Sequence, residues 1–169
     1  GDPMDSSTTL APLSSQKAAD DLKKQVEDAK KHGAVVEVIG APVPEKGAFF
    51  QPLLMTNLHQ DNEARHWEFF GPVTQLYRVK DEAEAIRIAN DTPFGLGGSV
   101  FTKDTARGVR VAEQIHTGMV YVNHPTMVKA DLPFGGVARS GYGRQLIGLG
   151  IKEFVKHKII DVVDIDAPV

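Results

Sequence analysis

The chain has 169 residues, of which 41% are hydrophobic and 24% are charged, and its formal net charge is -3. This length and balance predict a folded domain of ordinary size with a real hydrophobic core. The mixed charges give no electrostatic reason to expect nucleic acid or an acidic membrane as a partner. No apolar run approaches the roughly 20 residues that span a bilayer, and no signal peptide is visible.

The absence of cysteine from all 169 residues narrows the chemistry. It excludes a disulfide framework and thiolate metal sites, and it fits a cytoplasmic location. Metal-ligating residue types cluster at His59, Asp61, Glu63 and His66, but their spacing matches no known zinc pattern. A solvated loop is therefore the expectation there, and no metal is predicted.

The first 58 residues predict one helix and two extended segments. Ser15 is a suitable N-cap for a helix that continues to about His32 and ends at Gly33. Apolar residues recur along it at helical spacing, namely Ala18, Ala19, Leu22, Val26 and Ala29. Residues 34–39 predict a β-branched strand, and residues 49–58 a second extended segment in which Pro52 favours an edge position or a bend.

From residue 73 onward, strand and helix patterns alternate. The predicted elements are strands at 73–79, 98–101 and 118–122 and helices at 82–90 and 105–116. This order is typical of crossover units, so the predicted class is α/β with a mostly parallel open sheet. A long Gly/Pro-rich loop follows at 123–143, then a short helix at 145–154 and a closing strand at 155–165.

Two motifs give the strongest indication of function. The first is Trp67-Glu68-Phe69-Phe70-Gly71-Pro72-Val73, and the second is Asp131-Leu132-Pro133-Phe134-Gly135-Gly136-Val137-Ala138-Arg139-Ser140-Gly141. Each places a carboxylate or a large ring on a Gly/Pro turn, where the backbone fixes its direction. Together they resemble the aldehyde dehydrogenase superfamily, in the part of the catalytic domain that follows the nucleophilic cysteine. The resemblance implies an enzyme that oxidises an aldehyde to a carboxylic acid with NAD or NADP.

The resemblance assigns two residues to cofactor binding. In the family's Glu-x-Phe-Gly-Pro motif the carboxylate accepts hydrogen bonds from the nicotinamide ribose, which implies this role for Glu68. A carboxylate can accept from two vicinal hydroxyls at once. Phe70 stands at the family's aromatic position and would flank the nicotinamide ring. The alternatives are a solvated acid at Glu68 and an ordinary core phenylalanine at Phe70.

The substrate side is implied by the second motif. Phe134 matches the phenylalanine of the family's Pro-Phe-Gly-Gly, whose ring lines the aldehyde tunnel and helps to exclude water. Thr126, Met127 and Val128 fall in the family's variable loop and are expected to contact the aldehyde. The run from Ser140 to Arg144 resembles the family's Ser-Gly-x-Gly-Arg and is interpreted as architectural, with no chemistry at Ser140.

The family's nucleophilic cysteine and its glutamate base are not expected within this chain, so no catalytic residue is assigned. Because the chain also begins at Gly1, we expect a fragment that is inactive alone. Residues 1–143 are predicted to be catalytic-domain structure and 144–169 a helix with an oligomerisation strand. A long apolar terminal strand of this kind either completes a sheet of its own domain or adds to another sheet. The resemblance implies the second, an arm that joins a neighbouring subunit's oligomerisation sheet in a homo-oligomer.

Within the superfamily, Asn123-His124-Pro125-Thr126 and the run from Gly136 to Arg144 look most like bacterial NAD(P)-dependent succinate-semialdehyde dehydrogenases. Two other classes of function stay open. One is a stand-alone, non-catalytic module that binds a partner or assembles through its C-terminal strand. The other is an unrelated hydrolase, which the lack of any Ser/His/Asp arrangement disfavours.

Overall fold

The computed structural model describes residues 1–168 and divides into two compact units, one from Gly1 to Ala85 and one that begins at Ile86. The α/β class expected from the sequence is confirmed. The strands form three small sheets, one of three strands and two of two strands, instead of one open sheet. Among the described residues, no helix is both long and apolar enough to span a membrane.

The first unit contains one long helix and a three-stranded sheet. Helix α1 is Gln16–Lys31, strand β1 is Val35–Val38, strand β2 is Leu53–Thr56 and strand β3 is Val73–Gln75. The sheet order is β1-β2-β3, with β1 antiparallel and β3 parallel to β2. A 3₁₀ helix, Glu63–His66, lies between β2 and β3 in the chain, where the sequence predicted only a loop.

The predicted caps of α1 are both present. The Ser15 side chain accepts a hydrogen bond from the Ala18 amide at 3.1 Å, which satisfies one of the free N–H groups of the first turn. Gly33 follows the C-cap with φ +93, a left-handed conformation that glycine adopts without steric cost. The side chains of α1 that the periodicity assigned to the core are buried in the structure, with the exception of the half-buried Ala18.

The core of the first unit lies between α1 and the sheet. Its buried members are Val26, Ala29, Ala34, Leu53, Met55, Leu58 and Ala64. Of the two expectations for Pro52, an edge position or a bend, the edge position is wrong, because β2 is the central strand of its sheet. Pro52 precedes β2 and uses only its carbonyl, which accepts from the Ile39 amide at 3.0 Å, so its missing N–H costs the ladder nothing.

Within residues 86–168, the second unit contains two short sheets, two complete helices and the second half of a third helix. Strand β4 (Phe94–Gly95) pairs antiparallel with β7 (Val137–Ala138), and β5 (Gly97–Val100) pairs parallel with β6 (Met119–Val122). Helix α3, Thr105–Ala112, connects the parallel pair as the predicted crossover. Helix α2, Glu82–Ala89, runs through the boundary of the two units, and helix α4 is Ile147–Lys152.

The predicted closing strand at 155–165 does not form. These residues have no regular secondary structure, and their side chains are exposed. The β-branched composition was correct for a strand, but no neighbouring strand among residues 1–168 accepts its backbone hydrogen bonds, and a strand without a partner is not stable in water. Ile159, Val162 and Ile165 are 91%, 85% and 97% exposed.

Candidate active-site surfaces

The first candidate surface is the turn that carries Glu68 and Phe70. Its backbone is extended at Trp67, with φ -86 and ψ 147, and extended backbone sends successive side chains to opposite sides. Trp67 and Phe69 pack against the core of the first unit, and their ring centroids are 6.4 Å apart. Glu68 and Phe70 are therefore the outward pair, and Phe70 is 78% exposed.

The carboxylate of Glu68 is available to a ligand. It accepts no hydrogen bond and forms no ion pair within the part of the chain that the structure describes. The backbone on both sides is held: the Trp67 amide donates to the Ala64 carbonyl at 3.2 Å before Glu68, and after it the Gly71 amide donates to the Phe69 carbonyl at 2.7 Å. An exposed, acceptor-only group on a fixed turn fits the hydroxyls of a ribose.

The loop that follows β6 carries the three predicted substrate contacts. Thr126 uses its hydroxyl within the fold, donating to the Gly98 carbonyl at 3.2 Å. Met127 is half-buried, and its carbonyl accepts from the Tyr121 hydroxyl at 3.1 Å. Thr126 and Val128 are both exposed, Val128 by 62%, so they are the two accessible members of the three.

Phe134 is fixed by a backbone bridge and lines a cleft of about 600 Å³ within the second unit. Its amide donates to the Gln145 carbonyl at 3.1 Å, and its carbonyl accepts from the Gln145 amide at 2.6 Å. The ring is half-buried, and the cleft around it is also lined by Leu96, Tyr142 and Phe154. An aromatic ring in an apolar cleft suits a site that limits the access of water.

The glycine-rich run after Phe134 is architectural, as the sequence predicted. The Ser140 hydroxyl accepts from the Gly95 amide at 3.0 Å, which joins this run to β4. The Arg144 guanidinium donates to the carbonyls of Gly136 and Gly143 at 2.9 and 2.6 Å. Both polar side chains are thus engaged by backbone atoms.

The candidate residues therefore fall into two groups. Glu68 and Phe70 belong to the first unit, and Phe134 belongs to the second together with Thr126, Met127 and Val128. Sequence reasoning missed Gln25 of α1, whose side chain donates to the Glu68 carbonyl at 3.5 Å. Asn123, which the sequence places at the end of a strand in a structural role, has φ +59 and accepts from the Thr102 amide at 2.8 Å. A positive φ at an asparagine after a strand is a feature that a sequence pattern can suggest.

No group of three or more potential metal-ligating side chains occurs within residues 1–168. The structure thus presents an exposed carboxylate on a fixed turn in one unit and an aromatic-lined cleft in the other. The profile of the aldehyde dehydrogenase family matches residues 1–160, and the chain belongs to that family.

Relatives of known function give a narrower comparison. The chain is 52% identical over 160 residues to the NADP⁺ succinate-semialdehyde dehydrogenase of Deinococcus radiodurans and 42% identical to that of Mycobacterium avium. These alignments cover 95% of the chain and 34% of each relative. The chain thus spans about a third of the length of the curated relatives it matches.

A solved structure agrees with the sequence comparison. Succinic semialdehyde dehydrogenase from Streptococcus pyogenes, crystallised in complex with NADP⁺, superposes with a TM-score of 0.91 at 42% identity. The superposition covers 97% of this chain and 36% of the crystallised one. The fold of this chain is therefore the fold of the corresponding third of an aldehyde dehydrogenase.

Proposed function

We propose that this chain forms part of the active site of an enzyme that oxidises an aldehyde to its carboxylic acid with NAD or NADP. The observation that carries the proposal is that Glu68 and Phe70 are exposed on a turn whose other two rings, Trp67 and Phe69, pack against the core. Membership of the aldehyde dehydrogenase family supplies the reaction class.

A bound nicotinamide nucleotide would supply the hydride acceptor that the oxidation of an aldehyde requires. Glu68 holds the nucleotide by accepting hydrogen bonds from its ribose hydroxyls, and the exposed ring of Phe70 limits the movement of the nicotinamide. Phe134 forms an apolar wall for the aldehyde, and the loop with Thr126, Met127 and Val128 adjusts the size and polarity of its surroundings.

The chain contains no cysteine. The thiolate that attacks the carbonyl must therefore come from outside these 169 residues, and we assign the glutamate base to the same missing part. We therefore expect that the isolated chain does not oxidise aldehydes. We also propose that residues 1–143 are the catalytic-domain α/β portion and that 144–169 are a C-terminal helix and an oligomerisation segment.

The similar proteins are named for succinate semialdehyde as substrate and for NADP⁺ as cofactor. We propose both for the enzyme of which this chain forms a part. Both come from the likeness to those proteins, since no charged side chain of this chain has been assigned to a substrate carboxylate.

A chimera tests the proposal directly. Residues 1–160 of this chain replace the matched segment of the Deinococcus radiodurans relative, and reduced nucleotide is followed with succinate semialdehyde as substrate. We expect an active chimera and no turnover by the isolated 169 residues. An inactive but folded chimera, or turnover by the isolated chain, would contradict the proposal.

The role of Glu68 is tested in the same chimera. Glu68→Ala should weaken nucleotide binding roughly 10- to 100-fold, because hydrogen bonds to a charged group contribute about 1.5–3 kcal/mol. Glu45→Ala is the matched control, since Glu45 is an exposed carboxylate on a loop of the same unit. Equal nucleotide affinities for the two variants would remove Glu68 from the site.

We further propose that the apolar segment 155–165 pairs with a sheet of a second copy. The support for this proposal is that the segment exposes large apolar side chains, among them Ile159 and Ile165, which a partner sheet would bury. Ile159→Lys should shift the chain towards monomer in sedimentation experiments, whereas Lys158→Arg should not. Assembly of the isolated chain together with an inactive chimera would instead favour a non-catalytic assembly module.

A further inference from the structure

The turn that presents Glu68 rests on helix α1 through an unusually close contact. A Cβ atom built on Gly71 would lie 2.3 Å from Cδ2 of Leu22, and the Leu13 side chain begins at 3.4 Å. Leu22 is 3% exposed, so it has little room to move away. Gly71 has no left-handed φ, and the requirement for glycine is therefore steric: the backbone must approach the helix.

A second contact joins the same two elements one helical turn further along. Leu22 and Gln25 are three residues apart on α1 and share one face of the helix. The Gln25 side chain donates to the carbonyl of Glu68 at 3.5 Å, a long and therefore weak hydrogen bond. The helix thus contacts the turn on both sides of Phe69 and Phe70, at the backbone of Glu68 and at Gly71.

We infer that helix α1 sets the position of the Glu68 carboxylate, with Leu22 and Gln25 as positioning residues and Gly71 as the point of close approach. This inference rests on the proposed cofactor role of Glu68. Displacing the turn away from α1 would move the Glu68 carboxylate and Phe70 together. Gly71 follows Phe70 directly in the chain, and its amide donates a hydrogen bond to the carbonyl of Phe69, the residue next to Glu68. Misplacement of a binding group by about 1 Å can cost as much as 100-fold in rate.

The decisive variants are Gly71→Ala, Leu22→Val and the double substitution. The added methyl of Gly71→Ala collides with a δ-methyl of Leu22, and Leu22→Val removes that atom. In the active chimera we expect Gly71→Ala to raise the KM for the nucleotide about tenfold, with the KM for the aldehyde unchanged. The double variant should return the nucleotide KM to within about threefold of the parent.

A second readout requires no turnover. In the isolated 169-residue chain, hydrogen exchange at the amides of residues 71 and 73 should quicken in Gly71→Ala and return towards the parent rate in the double variant. Thermal unfolding of each variant shows that the chain is folded. This arm reports the contact between the turn and α1 whether or not the chain takes part in catalysis.

The outcomes separate the inference from the function on which it rests. A raised nucleotide KM in both Glu68→Ala and Gly71→Ala, with rescue by Leu22→Val, supports the inference. A raised KM in Glu68→Ala together with an unchanged KM in folded Gly71→Ala overturns the inference and leaves the proposed function intact. Failure of Leu22→Val to rescue also overturns it, because the cause is then not the Leu22 contact. If Glu68→Ala leaves the KM for the nucleotide unchanged, both the cofactor role of Glu68 and the inference about α1 are wrong.

Discussion

Asn62 is the buried polar side chain whose substitution gives the most informative test of the first unit. It is 2% exposed, and its amide nitrogen donates to the carbonyls of Ala29 and His32 at 3.0 and 3.2 Å. Its side-chain oxygen accepts from the Ala64 amide at 3.0 Å. One side chain thus joins the C-terminal end of α1 to the start of the 3₁₀ helix, where free backbone groups need partners.

Asn62→Asp keeps the shape and the accepting oxygen but removes both donated hydrogen bonds. The carboxylate would face two carbonyl oxygens from a buried position, which opposes its charge. The Ala29 carbonyl retains the Ala34 amide as a partner at 3.1 Å, so its loss is partial. A hydrogen bond contributes about 1 kcal/mol and an unsatisfied buried group costs about 1–3 kcal/mol, giving a loss of roughly 2–4 kcal/mol at neutral pH.

The loss should depend on pH in a defined direction. Burial and the facing carbonyls raise the folded-state pKa of the introduced carboxyl above its unfolded value of about 3.9. The penalty is then smallest below about pH 4, where both states are protonated, and it grows as the pH rises towards the folded pKa. Urea unfolding near pH 4 and near pH 7 measures the difference in the free energy of unfolding.

Asn57→Asp is the matched control. The Asn57 amide also donates to a backbone carbonyl, that of Gly33 at 3.0 Å, but the residue is exposed. We expect a loss below about 1 kcal/mol with little pH dependence, because water can hydrate the introduced charge. Equal losses at the two positions, or a loss at Asn62 that is the same at both pH values, would refute the reasoning.

Three further outcomes follow from the same structure. Met55→Ala should lower the free energy of unfolding by about 2–5 kcal/mol because Met55 is fully buried, whereas Val38→Ala, at a 69% exposed position, should change it by less than about 0.5 kcal/mol, both measured by urea unfolding. Asp104→Ala removes the side-chain cap of α3 and should cost about 1 kcal/mol in the same assay. A hydrogen bond from Lys17 lowers the pKa of Asp21. This pair therefore stabilises α1 at pH values above the ordinary pKa of an aspartate, and the effect is lost as the pH falls through the lowered pKa. Asp21→Asn should abolish this acid dependence of the helix signal in circular dichroism.

Helix α1 shows what could be predicted from the sequence. Its cap at Ser15, the spacing of its apolar residues and the glycine at position 33 all point to one structure, and the structure confirms each. Local signals suffice where one element carries its own start, stop and buried face. The short pair of β4 and β7 carried no such signal. Each strand has only two residues, and Phe94–Gly95 pairs with residues that lie more than forty positions later in the chain.

The segment 155–165 shows why the remaining predictions failed. Its β-branched residues favour a strand. A strand also needs a neighbouring strand to complete its backbone hydrogen bonds, and composition does not reveal that neighbour. Asn62 was missed for a related reason. An asparagine before a single 3₁₀ turn is a weak local signal, and its importance comes from carbonyls some thirty residues earlier in the chain.

The candidate cofactor residues were assigned from a resemblance, yet the structure supplies a physical reason for their orientation. Trp67 and Phe69 are half-buried and pack against the core, whereas Glu68 and Phe70 are exposed, so successive side chains of this run lie on opposite sides. The packing of these two rings therefore contributes to the free energy that orients the carboxylate, which no described group bonds directly. A binding group oriented in this way keeps its full hydrogen-bonding capacity for a ligand. Stability of the first unit and the geometry of the candidate site then depend on the same two aromatic rings, so a substitution that loosens either ring should weaken both together.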